Sequence, residues 1–216
     1  MLAAGATGLG ALTAGCLGFA LGNEPLEFDA ARVEPSGETL ESTGYAETDV
    51  ERERIEETVE VAGVSREVRA SFWTAVYDKT VEIEDIESES AVFAAVSTPA
   101  MEVLGQEFNP LADLDDEELL VEFLGEAGGE FDDLGELSPE ESFEHPILGA
   151  EREVSVFTGS TEPAAELEEE LEVDLLVTSF DHADDFLVLV GGHPRLDPEE
   201  RFNLEDLLAS VDHPLE

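Results

Sequence analysis

The sequence predicts an α+β protein, with a mostly antiparallel sheet and a few helices packed on one face of it. Segments that alternate apolar and polar residues, as half-buried strands do, outnumber segments with apolar residues at helical spacing. Hydrophobic residues make up 42% of the 216 residues, which is enough to form the core of one domain of ordinary size.

The first predicted strands lie in the middle of the chain. Alternating valines end one of them before Ala62-Gly63. The next run places four apolar residues on one face, namely Val68, Ala70, Phe72 and Val76. Trp73 and Tyr77 lie on the opposite face of this run, because successive side chains of a strand alternate. The compact apolar segment 91–96 predicts the strand after it.

Three later segments predict further strands, at 153–157, 171–177 and 186–190. The last two flank the polar sequence His182-Ala183-Asp184-Asp185, which is typical of a turn. We therefore expect these two strands to form an antiparallel hairpin.

The clearest helix signal is Asp115 followed by Glu118, the spacing of a capping box. The apolar residues that follow recur on one side of a helix, namely Leu119, Leu120, Phe123 and Leu124. The glycine-rich and acidic segment 125–135 after them predicts a flexible loop.

Two further helical starts are predicted where proline follows a capping residue. They are Ser138-Pro139 with Glu141, and Asp197-Pro198 with Glu200. Asn203 is predicted to cap the last helix. The apolar face of that helix would carry Leu204, Leu207, Leu208 and Val211.

The charge of the chain is extreme, because Asp and Glu total 55 and Lys and Arg only 9, for a net charge of -46. Phosphate neutralisation requires Lys and Arg, so these counts argue against a nucleic-acid partner. The acids are interleaved with Leu, Val and Phe, which is typical of a folded protein rather than an acidic tail. We interpret the composition as adaptation to molar salt and expect a halophilic source.

Residues 1–22 carry no charge and are rich in Ala, Gly and Leu. A transmembrane helix needs about 20 apolar residues, but six glycines make this segment a poor helix. A buried core helix would lack any polar face. The end of a secretion signal is favoured by Leu12-Thr13-Ala14-Gly15-Cys16, which resembles a lipobox. Cys16 is the only cysteine, which excludes an intrachain disulfide.

These features divide the chain into three parts. Residues 1–15 are predicted to be the end of a signal peptide whose start lies further upstream, and 16–26 to be a lipidated tether. Residues 27–216 are predicted to form a single α+β domain. The lipid on Cys16 would anchor the protein to the extracellular face of the cell membrane.

Short motifs follow one another in the order Ser97-Thr98-Pro99, Val103-Leu104-Gly105-Gln106 and Phe108-Asn109-Pro110-Leu111. His182, Asp184-Asp185-Phe186 and Val211-Asp212-His213 follow near the end. In this order the motifs resemble a family of haloarchaeal surface lipoproteins of unknown function, over roughly residues 27–216. The arrangement also distantly resembles the sheet-plus-helix fold of PsbP-type lumenal proteins. The resemblance implies no catalytic residue.

The weak candidates for metal ligands are Asp181, His182, Asp184 and Asp185, with His193 one strand later. The segment lacks the glycine-containing loop of a calcium site, and zinc would require more His or Cys. A polar hairpin turn is the alternative interpretation. We predict no metal and no other cofactor.

Signals for catalysis are sparse. The sequence contains no Gly-x-Ser-x-Gly motif, and with 55 acids any pair of carboxylates is expected by chance. Trp73 and Tyr77 are candidates to stack on a sugar, or they pack beneath a helix.

We therefore predict a non-enzymatic binding or envelope accessory module, whose partners are the membrane and a surface ligand or envelope protein. The alternative is an extracellular hydrolase with an unrecognised site. A third possibility is a cytoplasmic protein with an unmodified Cys16. An enzyme would have a deep pocket with convergent polar groups, whereas a module would expose an apolar face, which we expect around Trp73.

Overall fold

The computed structural model of the chain describes residues 25–61, 64–83, 86–103, 106–107, 109–127, 134–161 and 171–215. Within these ranges the chain forms twelve strands and three helices. The predicted α+β class with a mostly antiparallel sheet is confirmed. Cys16 and the rest of the segment 1–24 lie outside the described residues.

Eight strands form the main sheet. They are β1 (Leu26–Asp29), β3 (Ala46–Val61), β4 (Val64–Ile83), β5 (Ile86–Pro99), β8 (Ser138–Ile147), β9 (Ala150–Thr161), β10 (Leu171–His182) and β11 (Asp185–Pro194). Their order is β1-β4-β5-β11-β10-β9-β8, and β3 also pairs with β4. Only the β1–β4 pair of this sheet is parallel.

The remaining strands form two small sheets. They are β2 (Arg32–Pro35) with β12 (Val211–Leu215), and β6 (Glu102–Val103) with β7 (Gln106–Glu107). The predicted strands at 91–96, 153–157, 171–177 and 186–190 lie within β5, β9, β10 and β11. The predicted hairpin of β10 and β11 is confirmed.

The helices are α1 (Gly37–Thr43), α2 (Asp116–Ala127) and α3 (Pro198–Ala209). The predicted capping box opens α2, because Asp115 Oδ1 accepts a hydrogen bond from the Glu118 amide at 2.9 Å and Glu118 Oε2 accepts one from the Asp115 amide at 3.1 Å. The predicted start at Asp197-Pro198 is also confirmed, since Asp197 caps α3. None of the described helices is both long enough and apolar enough to cross a lipid bilayer.

The helices divide between the two faces of the sheet. On one face α3 buries Leu204, Leu207 and Leu208 against a cluster that includes Phe93, Leu187 and Leu189. On the other face α2 buries Leu119, Leu120 and Leu124 against a cluster that includes Leu175, Val177 and Val188. The helices therefore do not share one face of the sheet, which differs from the prediction. All ten residues of β11 are buried, so both faces of the central strands need cover.

One predicted helical start is wrong. Ser138-Pro139 and Glu141 begin the edge strand β8, which pairs with β9 through a bulge between Pro139 and Glu141. Pairing with β9 overrides the local signal, and an edge strand accepts proline because it leaves one side of its backbone unpaired.

The predicted cap of the last helix is also wrong. Asn203 lies inside α3, where its Nδ2 donates to Glu200 Oε1 at 3.1 Å. Val211 belongs to β12 and not to the helix. The predicted loop at 125–135 starts within α2, and residues 128–133 lie outside the described residues.

Candidate functional site

The part of the sheet beyond α2 forms an open groove of about 1110 Å³. Its floor consists of facing positions of β4 and β5, and β3 forms one wall. The strand register places these positions on the same face as α2. Four half-buried apolar side chains lie on this floor, namely Phe72, Val76, Val92 and Val96. Phe123 of α2 forms part of the opposite wall. A concave surface with exposed apolar side chains is typical of a ligand-binding site.

Two of the sequence motifs meet at one end of the groove. Asn109 is 3% exposed and donates through Nδ2 to Thr98 Oγ1 at 2.8 Å. Its Oδ1 accepts the amide of Leu111 at 3.0 Å. Thr98 Oγ1 in turn donates to the carbonyl of Phe186 at 3.3 Å. Thr98-Pro99 and Asn109-Pro110-Leu111 therefore line the groove together, which the spacing of the two motifs in the sequence does not reveal.

We expect Asn109→Ala to lower the free energy of unfolding by about 1 to 3 kcal/mol, because Thr98 and the Leu111 amide each lose a buried partner. Chemical denaturation measures the change. The control is Thr48→Ala, which removes an exposed hydroxyl. Equal effects of the two substitutions would show that the Asn109 bonds do not hold the groove together.

The turn between β10 and β11 brings together two of the four weak metal candidates, His182 and Asp185, with His213 of β12. His182 Nδ1 lies 2.9 Å from His213 Nδ1, and His213 Nε2 lies 3.0 Å from Asp185 Oδ2. The Ala31 amide also donates to Asp185 Oδ2, at 2.8 Å. Asp181 and Asp184 are exposed and take no part in these hydrogen bonds.

A carboxylate only accepts, so His213 Nε2 donates to Asp185. Nδ1 of His182 and Nδ1 of His213 share one hydrogen bond, whose direction follows the tautomer of the two rings. If His213 Nδ1 accepts, His182 Nδ1 donates and Nε2 is the basic atom of His182. Burial, followed by His213 and Arg152, lowers the pKa of His182 and favours its neutral form. Over the residues with defined placement, no group of three or more His, Cys, Asp or Glu side chains is arranged to hold a metal ion.

His193 lies at the other end of β11, away from the hydrogen bonds of His182, His213 and Asp185. It is 2% exposed, and its Nδ1 donates to the carbonyl of Pro194 at 3.0 Å. Burial lowers the pKa of His193 below its ordinary value of 6.5.

A depressed pKa of His193 makes folding less favourable in acid. Well above pH 6.5, His193 is neutral in the folded and the unfolded state and does not lower the free energy of unfolding. As the pH falls below 6.5, the unfolded state binds a proton more readily than the folded state. The free energy of unfolding therefore decreases until the pH reaches the lower pKa of the folded state. We expect His193→Asn, which keeps a donor near Nδ1, to lose less stability than wild type between about pH 7.5 and about pH 5. Denaturation curves of both proteins at the two pH values measure this. Parallel losses would contradict a neutral buried His193.

The aromatic pair of β4 is not an open platform. Tyr77 is 1% exposed and packs against Phe93, with 6.1 Å between the ring centroids. Trp73 is half-buried, with the Arg52 guanidinium 5.5 Å from its ring centroid. The expectation of an open apolar face around Trp73 is wrong, because the open groove lies on the opposite face of β4, around Phe72.

Comparison with known proteins adds one match. No curated protein matches the chain. A family model described as a domain of unknown function, DUF6517, matches residues 32–212. This range runs from β2 into β12 and includes every described residue of the groove. It also includes His182 but ends one residue before His213. Because the match covers most of the sequence, the chain belongs to the DUF6517 family.

Proposed function

We propose that this chain is a lipid-anchored surface protein of a halophile that binds a ligand in the groove of β3, β4, β5 and α2, without catalysing a reaction. The observation that carries the proposal is the apolar floor of the groove, which α2 leaves uncovered. Covering such a floor with an apolar ligand contributes about 25 cal/mol for each Å² of apolar surface removed from water.

The shape of the groove favours binding over chemistry. Phe72, Val76 and Val96 form a broad apolar surface, and the buried polar pair Thr98–Asn109 is engaged in internal hydrogen bonds. A catalytic pocket would instead direct several polar groups at one point. The groove therefore supports recognition of an apolar body more than attack on a bond.

A fluorescent neutral probe, N-phenyl-1-naphthylamine, tests the groove. Thr74 lies on the floor between Phe72 and Val76, so Thr74→Trp should fill the groove and weaken probe binding by about tenfold or more. The matched control is Ser42→Trp, which adds the same side chain to an exposed position on α1. Wild-type protein that binds no probe, or equal binding by the two variants, would contradict the proposal.

The anchor is tested separately from the groove. In a haloarchaeal host, we expect wild-type protein to sediment with membranes and Cys16→Ser to be released. Leu26 lies ten positions after Cys16, and an extended chain of that length reaches at most about 35 Å. Soluble behaviour of both proteins would refute the lipid anchor.

The extracellular hydrolase remains a second candidate because of one observation, the chain Asp185–His213–His182. In the tautomer in which its Nδ1 donates to His213, neutral His182 would offer Nε2 as a general base. If this site is catalytic, wild-type protein should hydrolyse an activated ester faster than His182→Gln. His145→Gln is the control, because His145 is also half-buried but bonds only the carbonyl of Glu205 among the contacts described.

A further inference from the structure

We infer that the groove takes a cationic amphiphile, meaning a ligand with an apolar body and a positively charged end, and rejects its anionic counterpart. The inference rests on the proposed binding function and specifies the chemical class of the ligand. It is carried by the way β3 and α2 distribute charge around the apolar floor.

In the middle of β3, at residues 49–54, acidic and basic side chains lie on opposite faces of the sheet. Asp49, Glu51 and Glu53 face the groove, since each lies opposite a floor residue of β4 in the register. Arg52 and Arg54 alternate with them and face the other way. The wall that β3 contributes therefore carries three successive carboxylates in its middle part, although the strand as a whole also carries cations.

The two arginines of β3 interact with acidic and polar side chains on the face of the sheet opposite the groove. Arg52 Nη2 lies 2.8 Å from Asp29 Oδ1 and 3.0 Å from Ser71 Oγ, and its guanidinium stacks over Trp73. Arg54 lies 3.9 Å from the same Asp29 oxygen. Neither guanidinium is oriented to neutralise the groove wall.

Lys79 is the one cation among the described residues that line the groove. Its ammonium is bound by Glu200 of α3 and lies 5.8 Å from the Tyr45 ring centroid, which places it on the opposite face of the sheet. The opposite wall of the groove adds Glu122 of α2, which is exposed beside Phe123. Carboxylates thus flank the apolar floor on both sides, without a described cation directed between them.

Molar salt separates this local effect from the general acidity of the protein. Screening reduces the range of electrostatic interactions to about 3 Å at 1 M salt, so attraction to the whole surface largely disappears. A cation whose apolar tail lies on Phe72 and Val96 stays in contact with the wall carboxylates. Selection by charge should therefore survive at high salt only if it arises within the groove.

The test is competition against N-phenyl-1-naphthylamine in about 2 M NaCl. Three competitors share one decyl chain: decyltrimethylammonium, decyl maltoside and decanesulfonate, each below its micellar concentration. We expect the cationic competitor to displace the probe at a concentration about tenfold lower than the anionic one. Glu51→Gln/Glu53→Gln should reduce this preference. The control Glu38→Gln/Glu41→Gln makes the same charge change on exposed α1 and should leave the preference unchanged.

The outcomes distinguish the two proposals. Probe binding with equal displacement by cation and anion, or a preference that survives Glu51→Gln/Glu53→Gln, overturns the charge selection and leaves the binding groove in place. A wild-type protein that binds no probe overturns the binding function itself. A preference that is lost in both double variants assigns it to overall charge, which also overturns the inference.

Discussion

Replacing Lys79 with methionine is expected to lower the free energy of unfolding by about 3 kcal/mol. Lys79 binds Glu200, whose side chain is 2% exposed. Glu200 also accepts from Tyr45 Oη at 3.1 Å and from Asn203 Nδ2 at 3.1 Å. Without the ammonium, α3 would bury an uncompensated carboxylate against the sheet. The Lys79 side chain is 23% exposed, which keeps the expected loss at the lower end of the range for buried pairs.

The double variant Lys79→Met/Glu200→Leu separates the lost ion pair from lost packing. Removing both charges should recover much of the stability, because no buried carboxylate is left without a cation. Burial and the Glu200 carboxylate raise the pKa of Tyr45, so the Tyr45 hydroxyl stays protonated and continues to donate. Denaturation of all three proteins at the same salt concentration gives the comparison. A loss below about 1 kcal/mol for Lys79→Met would contradict the account of this pair.

The second large effect is the dependence of stability on salt. A net charge of -46 opposes the compact state, and its repulsion is screened as the Debye length falls from about 10 Å at 0.1 M to about 3 Å at 1 M. We expect a gain of about 3 kcal/mol or more between about 0.1 M and about 3 M KCl, or roughly 10 °C in the thermal midpoint. KCl is preferred to sulfate, because sulfate strengthens apolar burial by a different route. Equal midpoints at the two concentrations would contradict adaptation to molar salt.

Local signals predicted the elements that depend on neighbouring residues. The capping box of Asp115 and Glu118, and Asp197 before Pro198, act within one turn of a helix, so the sequence alone is sufficient to identify them. The β10–β11 hairpin was predictable for the same reason, since its two strands are joined by a short polar turn at Ala183-Asp184.

Local helix signals gave wrong predictions where tertiary contacts opposed them. Ser138-Pro139 has the pattern of a helix start, but β9 offers a partner along the whole segment and the strand prevails. Asn203 has the preference of a cap, but the helix had already begun at Pro198 and Asn203 instead supports Glu200. Tertiary pairing outweighs propensities that differ by fractions of a kcal/mol.

The candidate sites depend on contacts that lie far apart in the sequence. Asn109 meets Thr98 across the segment between β5 and α2 that contains β6 and β7. His213 of β12, which pairs with β2, meets His182 at the end of β10. The groove arises because α2 covers β10 and β11 but leaves the floor around Phe72 open. Alternation of residues identified the Phe72 face of β4, but not which face the helices would leave uncovered.

A crystal structure of the protein with decyl maltoside bound would test the binding groove most directly. The account predicts density for the decyl chain on Phe72, Val76 and Val96, between β3 and α2. The competing apolar residues are Val121, Leu196 and Phe202, which are 59%, 65% and 66% exposed. Density at Leu196 and Phe202, with the groove occupied by solvent, would contradict the account.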